Sequence, residues 1–209
     1  MQREETYWSR FAESYDQDGE YVVGKRIIRL IEDALLGESS LGTALECGCG
    51  TGTFTKAIAR KAHHLTASDL SGEMVEVARV RLQGFENIAF QEADCTRTAF
   101  PDRSFDGVFL TNLLHVIDNP LQCLRESHRI LRDNGTVIVV DFTGYHLSFA
   151  KRMKLGLRYL RVWGLPPRGG RNNMSPRELK SLVEQAGFHV QQVRLLGGGA
   201  NALYLRGTK

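Results

Sequence analysis

The sequence predicts an α/β fold: a doubly wound, seven-stranded sheet, mostly parallel, with an antiparallel last strand. Three observations predict it. Short apolar or β-branched runs alternate with helical patterns over most of the chain, the signature of a parallel sheet covered on both faces. A glycine-rich stretch, Ala44 to Thr55, joins the first such run to a helical pattern. The last two strand-like runs flank Gly197-Gly198-Gly199 and read as a terminal hairpin.

The elements follow in order. Residues 4–16 carry Tyr7, Trp8, Phe11 and Tyr15 among polar residues, an aromatic arm or short amphipathic helix. Residues 19–36 hold Val22, Val23, Ile27, Ile31 and Leu35 near helical spacing, with Gly37 as a stop. A strand is expected over 43–47 and a helix near 53–62. The second strand spans His64 to Asp69. Ser71 is placed to cap a helix running to Leu82, with Glu73 in its first turn. Strands three and four cover Ile88 to Glu92 and Phe105 to Thr111. A helix from Pro120 to Leu131 is stopped by Asn134-Gly135, and Thr136 to Phe142 is a β-branched fifth strand. Ser175-Pro176 opens a helix closed by Gly187. His189 to Leu196 and Ala200 to Leu205 form the hairpin.

With 209 residues the chain suits one α/β domain, 1–209. Apolar residues make up 42% and charged ones 24%, values of an ordinary globular protein. The net charge of +3 implies no partner, but its distribution is uneven. Seven Lys or Arg and no acid lie between Gly144 and Pro176, leaving 20 basic against 24 acidic residues elsewhere. Cys47 and Cys49 lie inside the glycine stretch, where a disulfide is not expected, and Cys95 and Cys123 complete the set. The polar N-terminus shows no secretory core, and no run is long and apolar enough to span a bilayer. A reducing, cytoplasmic setting is expected. Two thiols one residue apart without a histidine pair fall short of a zinc set, so no metal is expected.

A doubly wound sheet binds ligands beyond the carboxyl ends of its strands, where the strand order reverses. Four such ends carry suitable residues: the glycine stretch after strand one, Asp69 after strand two, Asp94 after strand three and Asn112 after strand four. A dinucleotide loop requires Gly-x-Gly-x-x-Gly. Gly48 and Gly50 match, but the third place holds Thr53 and Gly52 comes one residue early. No Gly-Lys-Thr is present, which excludes a P-loop.

Glu46-Cys47-Gly48-Cys49-Gly50-Thr51-Gly52, then Asp69-Leu70-Ser71-Gly72-Glu73-Met74, then Ala93-Asp94 resembles the class I S-adenosylmethionine-dependent methyltransferases, which are Rossmann-like. Phe105 to Phe109, Leu114-His115-Val116 and the segments Ser175 to Leu179 and Glu184 to Phe188 resemble the small-molecule branch that includes ubiquinone- and menaquinone-biosynthesis-type enzymes. The resemblance covers about 44–188 and implies roles. Gly48, Gly50 and Gly52 pass beneath the methionine part and ribose of S-adenosylmethionine. Glu46 positions the loop or the cofactor's amino group. Asp69 accepts from the ribose diol. Leu70 and Met74 pack on the adenine, and Asp94, with the Cys95 backbone, takes its exocyclic amine. Asn112 and Leu113 lie beside the transferable methyl.

The implied reaction is displacement at a sulfonium methyl, which leaves S-adenosylhomocysteine and requires mainly alignment. A base is required only where the acceptor must lose a proton; His115, after strand four, is the first candidate. The aromatic arm, 1–20, and the basic insertion, 144–174, are expected to form a lid over the acceptor, with Tyr7, Trp8, Tyr15, Tyr145, His146 and Trp163 as its contact residues. In the insertion, Lys151, Lys154, Arg158 and Arg161 share one helix stripe beside an apolar face of Phe149, Met153, Leu157, Leu160 and Trp163, widened by Leu155, Tyr159 and Val162. Trp163 to Pro167 is expected to end that helix in a turn. The expected acceptor is a small hydrophobic or anionic molecule. Nucleic acid is disfavoured, because strand four ends Thr-Asn-Leu-Leu and no room remains for an RNA-binding domain. The oligomeric state is open. Rival readings are a peripheral membrane enzyme acting on a phospholipid head group or quinol, an RNA or protein methyltransferase, and a non-catalytic cofactor-binding module.

Overall fold

The computed structural model describes residues 7–165 and 173–209. The turn expected at Pro166-Pro167, and Arg168 and Arg171 of the basic insertion, lie outside them. A single seven-stranded sheet runs in the order β3-β2-β1-β4-β5-β7-β6. Its strands are β1 (Leu41–Cys47), β2 (Ala62–Asp69), β3 (Ile88–Glu92), β4 (Phe105–Thr111), β5 (Leu131–Thr143), β6 (His189–Gly197) and β7 (Asn201–Thr208). Neighbours from β3 through β5 pair in parallel, and β7 is antiparallel to both β5 and β6. The strand order therefore reverses between β1 and β4, so the ends at Cys47 and Thr111 flank the switch point.

Alternation along the strands builds two core layers. Leu45, Cys47, Val108, Leu110, Val137 and Val139 face helices α5 (Pro120–Ile130) and α7 (Pro176–Gln185). Ala44, Leu65, Phe109, Ile138, Val140 and Tyr204 face α2 (Lys25–Leu36) and α3 (Thr55–Ala59). The helix α4 (Gly72–Arg81) lies by β2 and β3, with Ala78 against Ala67 and Cys49. The helix α1 (Tyr15–Val23) precedes α2, and α6 (Phe149–Trp163) follows β5.

Three expectations change. The helix read over 19–36 is two helices, because Gly24 sits at φ +91 and breaks them. The helix read over 53–62 shrinks to Thr55–Ala59, since Ala62 already pairs as a strand. Asn134-Gly135 does not stop a helix: α5 ends at Ile130 and β5 begins at Leu131. The pair lies inside β5, with Asn134 at φ 63, beside a register shift between Phe105 and Gly107. The Ser71 cap and the Ser175 capping box form as their residue types require, accepting from Met74 N and Glu178 N.

Candidate active site

The site is assembled at the reversal. The backbone from Gly48 to Gly52 turns through three left-handed glycines, with φ of 74°, 53° and 89°. Their missing side chains serve different purposes. A Cβ on Gly48 would stand 2.9 Å from Leu113 Cδ1, and one on Gly52 would stand 2.9 Å from Leu82 Cδ1 and 3.4 Å from Ala78 Cβ. Gly48 thus admits the β4 loop and Gly52 admits α4. Gly50 faces only Tyr15, whose Cε1 lies 4.0 Å from a built Cβ.

Asp69 holds this loop from the end of β2. Its carboxylate accepts from Gly50 N at 2.9 Å and Ser71 N at 3.0 Å. Burial pushes its pKa up, partly offset by those backbone donors. Leu70 follows it half-buried, and Met74 is buried. Asp94, beyond β3, accepts from the backbone N and hydroxyl of Thr96 with the same oxygen, which fixes the loop before Cys95. The Cys95 thiol faces Cys123, and that contact together with burial pushes the Cys123 thiol up and keeps it protonated. All four cysteines are free.

Glu46 is wholly buried at the end of β1. Its Oε1 accepts from Thr111 Oγ1 at 2.9 Å, while its Oε2 has no partner among the described residues. Desolvation lifts its pKa from 4.5 to about 7, with the hydroxyls of Thr55 and Thr111 opposing and the Asp69 charge adding to the rise. Asn112, at φ 54, donates its backbone N–H to Val140 O, and its buried Oδ1 also lacks a partner. Three residues on, His115 Nδ1 is hydrogen-bonded to Asp141, two residues before the end of β5. Burial lowers the imidazole pKa, but the charge and hydrogen bond of Asp141 outweigh it and leave the pKa raised. The ring keeps 30% of its side-chain surface open, whereas Asp141 keeps 3%.

A family model described as a methyltransferase domain matches residues 45–139, which contain the glycine loop, Asp69, Asp94 and His115. The chain is 27% identical over 228 residues to the demethylmenaquinone methyltransferase of Tropheryma whipplei, spanning 97% of this chain and 91% of that relative. It is 28% identical over 178 residues to the enzyme of that name from Staphylococcus aureus, spanning 78% and 74%. Solved structures share the fold. A SAM-dependent methyltransferase from Aquifex aeolicus superposes with a TM-score of 0.69 at 19% identity, over 96% of this chain and 97% of that one. A possible histamine N-methyltransferase from Thermotoga maritima gives 0.70 at 22%, over 98% and 99%. These matches, with the fold and the site, support a class I S-adenosylmethionine-dependent methyltransferase. The chain resembles the quinone-biosynthesis type.

Above the glycine loop of this methyltransferase the structure gathers four of the six aromatic residues singled out from sequence. Tyr15 stacks on Trp163 with centroids 5.9 Å apart, and Trp8 meets Trp163 edge-on at 5.8 Å. Tyr7 Oη donates to Trp163 O at 2.9 Å. Burial, then the charges of Asp69 and Asp16, push the Tyr15 phenol up and keep it neutral. Tyr145 and His146 pack on each other, rings 4.4 Å apart, and Tyr145 O accepts from Asn201.

Three residues of the enzyme's site escaped the sequence reading. Asp141 lies two residues before the end of β5, within reach of the strand-end rule that found Asp69. Asp16 accepts from Thr51 Oγ1 at 2.6 Å and Thr53 Oγ1 at 2.7 Å and pairs with Arg81, tying the arm to the glycine loop. No local pattern announces it. Thr111, the partner of Glu46, looks like an ordinary strand threonine. The motif residue Asp106 lies at the other end of the sheet, where it accepts from Thr43 N at 2.7 Å and pairs with Arg132. Its role is to join β1 to β4.

Proposed function

We propose that this methyltransferase transfers a methyl group to a hydrophobic small molecule bearing an ionisable hydroxyl, with His115 as the base and Asp141 holding its ring. The carrying observation is the His115–Asp141 pair, set three residues beyond Asn112 with its ring partly open. The cofactor's requirements fit the residues present. Glu46 Oε2 and Asn112 Oδ1 are buried acceptors without donors, suited to the ammonium end of a methionine group. Gly50 leaves the backbone open beneath Tyr15, and Leu70 and Met74 offer an apolar face beside Asp69.

In this reading Glu46 takes the cofactor's amino group while Gly48, Gly50 and Gly52 shape the loop under it. Asp69 accepts from the ribose diol, and Asp94 and the Cys95 backbone meet the adenine amine. Asn112 and Leu113 flank the reacting centre. The bound cofactor supplies an electrophilic methyl on a sulfonium that departs as the thioether of S-adenosylhomocysteine. The protein's part is alignment, exclusion of water by Tyr15 and Trp163, and removal of one proton. Because Asp141 occupies Nδ1, the proton goes to Nε2 of a neutral ring. The arm and α6 serve as the lid. A hydrophobic ring as acceptor is supported by the apolar, aromatic lining of that lid and by the relatives named for demethylmenaquinone.

The test is turnover of S-adenosylmethionine with a panel of hydroxylated aromatic and quinol acceptors, read as S-adenosylhomocysteine formed. His115→Ala lowers kcat by about 10²–10⁴-fold with cofactor affinity kept. The wild-type rate rises with pH through a limb above 6.5, because His115 must be neutral to act. Asp141→Asn moves that limb down, which a purely structural role would not do. Full turnover by His115→Ala overturns the assignment.

A further inference from the structure

Helix α6 sorts its side chains into three sectors at 3.6 residues per turn. Leu155, Tyr159, Val162 and Trp163 form the half-buried sector, with Leu155 on the core layer that holds α2 and Tyr159 against Trp163. Phe149, Met153, Leu157 and Leu160 form a second sector, exposed by 79%, 48%, 62% and 45%. Lys151, Lys154, Arg158 and Arg161 form the third. The apolar arc visible in the sequence is thus wider than the protein itself covers: one half lies on the fold and the other faces outward. Leu165, just past the helix, is 79% exposed. No residue of α6 is buried. Scattered exposed apolar residues are ordinary, but four aligned on one helix beside a basic stripe are not.

The charges choose among occupants. The segment between Gly144 and Pro176 contains no acid. Among the described residues no ion pair engages Lys151, Lys154 or Arg161. Arg158 lies over the Tyr21 ring at 5.2 Å. A second copy docked through a two-fold axis would set one basic stripe against another with nothing to neutralise it. An anionic bilayer offers both an apolar boundary and the opposite charge. We propose that α6 seats the protein on an anionic lipid surface. Phe149, Met153, Leu157 and Leu160 enter the boundary of head groups and acyl chains, and Lys151, Lys154 and Arg161 meet the head groups. The helix lies in the plane of the surface, since no helix among the described residues is long and apolar enough to cross a membrane. Its last residue, Trp163, reaches the aromatic cluster over the glycine loop, so the seated face is continuous with the lid.

This proposal stands on the surface alone and is tested without cofactor or acceptor. The full chain is floated with vesicles of pure phosphatidylcholine and with vesicles containing phosphatidylglycerol. The wild type floats with the anionic vesicles and is released by salt. Phe149→Glu with Leu157→Glu, folded by circular dichroism, stays at the bottom. Lys151→Gln with Lys154→Gln and Arg161→Gln binds about a hundred-fold more weakly, about five-fold for each charge lost. Failure of the wild type to float with anionic lipid overturns the proposal, as does undiminished flotation of the Phe149 and Leu157 variant. Light scattering that shows a dimer abolished by that variant, with no flotation, assigns the face to a second copy instead. Loss of methyl transfer in the acceptor panel would leave the flotation result untouched.

Discussion

At Gly48 and Gly52 the glycine loop is packed against close neighbours; along α6 no residue is buried. The loop is bounded by Leu113, Leu82 and Ala78 within 2.9–3.4 Å of positions where side chains would stand, and its backbone is tied to Asp69. The arm and α6 are held by side-chain ties that include Asp16 to Thr51, Thr53 and Arg81, Ser9 to Ser71 and Glu73, the Tyr7–Trp163 bond and a group of stacked rings. The difference teaches a division of labour. On the proposed reading, the part that serves the cofactor is set by the sheet, and the part facing the acceptor is a cover that can lift without unfolding the core.

That contrast breaks first at Gly48. Gly48→Ala places a Cβ against Leu113 at a left-handed φ of 74° and costs about 2–4 kcal/mol in denaturant unfolding. A neutral result would mean that the loop is loose. The next largest effect lies at Glu46. Its folded pKa of about 7 stands above its ordinary 4.5, so the native state holds the proton longer. Stability therefore falls as pH rises from about 4.5 to about 7, by up to about 3 kcal/mol, and is flat above. Glu46→Gln removes that slope in melts taken across the window. Asp16→Ala cuts the ties from the arm to the glycine loop and α4. It loses about 1–2 kcal/mol of local hydrogen bonding, so proteolysis within residues 10–20 quickens about ten-fold while the core melting temperature barely moves. Equal loss in the core would erase the distinction between the two regions.

The same division explains how much was legible in the sequence. The sheet, its order-reversing site and the strand-end acids follow from local patterns: β-branched runs, glycines at alternate positions and acids where strands two and three stop. Ser71 and Ser175 cap their helices because hydroxyls at those positions have free backbone N–H groups to meet. The break at Gly24 was hidden, since apolar spacing continues through it and only the backbone angle reveals it. The widening of β5 back to Leu131 was hidden because Asn134-Gly135 reads equally as a helix stop and as a bulge. Asp141 and Asp16 act on partners 26 and 35 residues away, and no local window reports a contact of that range. On α6 the sequence shows that the apolar arc is wide. Only the packing shows which half the protein covers.

The central claim is that the loop held by Asp69 binds S-adenosylmethionine. Isothermal titration of the cofactor into wild type and Asp69→Ala, both checked for fold by circular dichroism, tests it most directly. Loss of charged hydrogen bonds to the ribose predicts binding about ten- to a hundred-fold weaker in the variant. Equal affinity in the two proteins, or no binding by the wild type, would contradict the account.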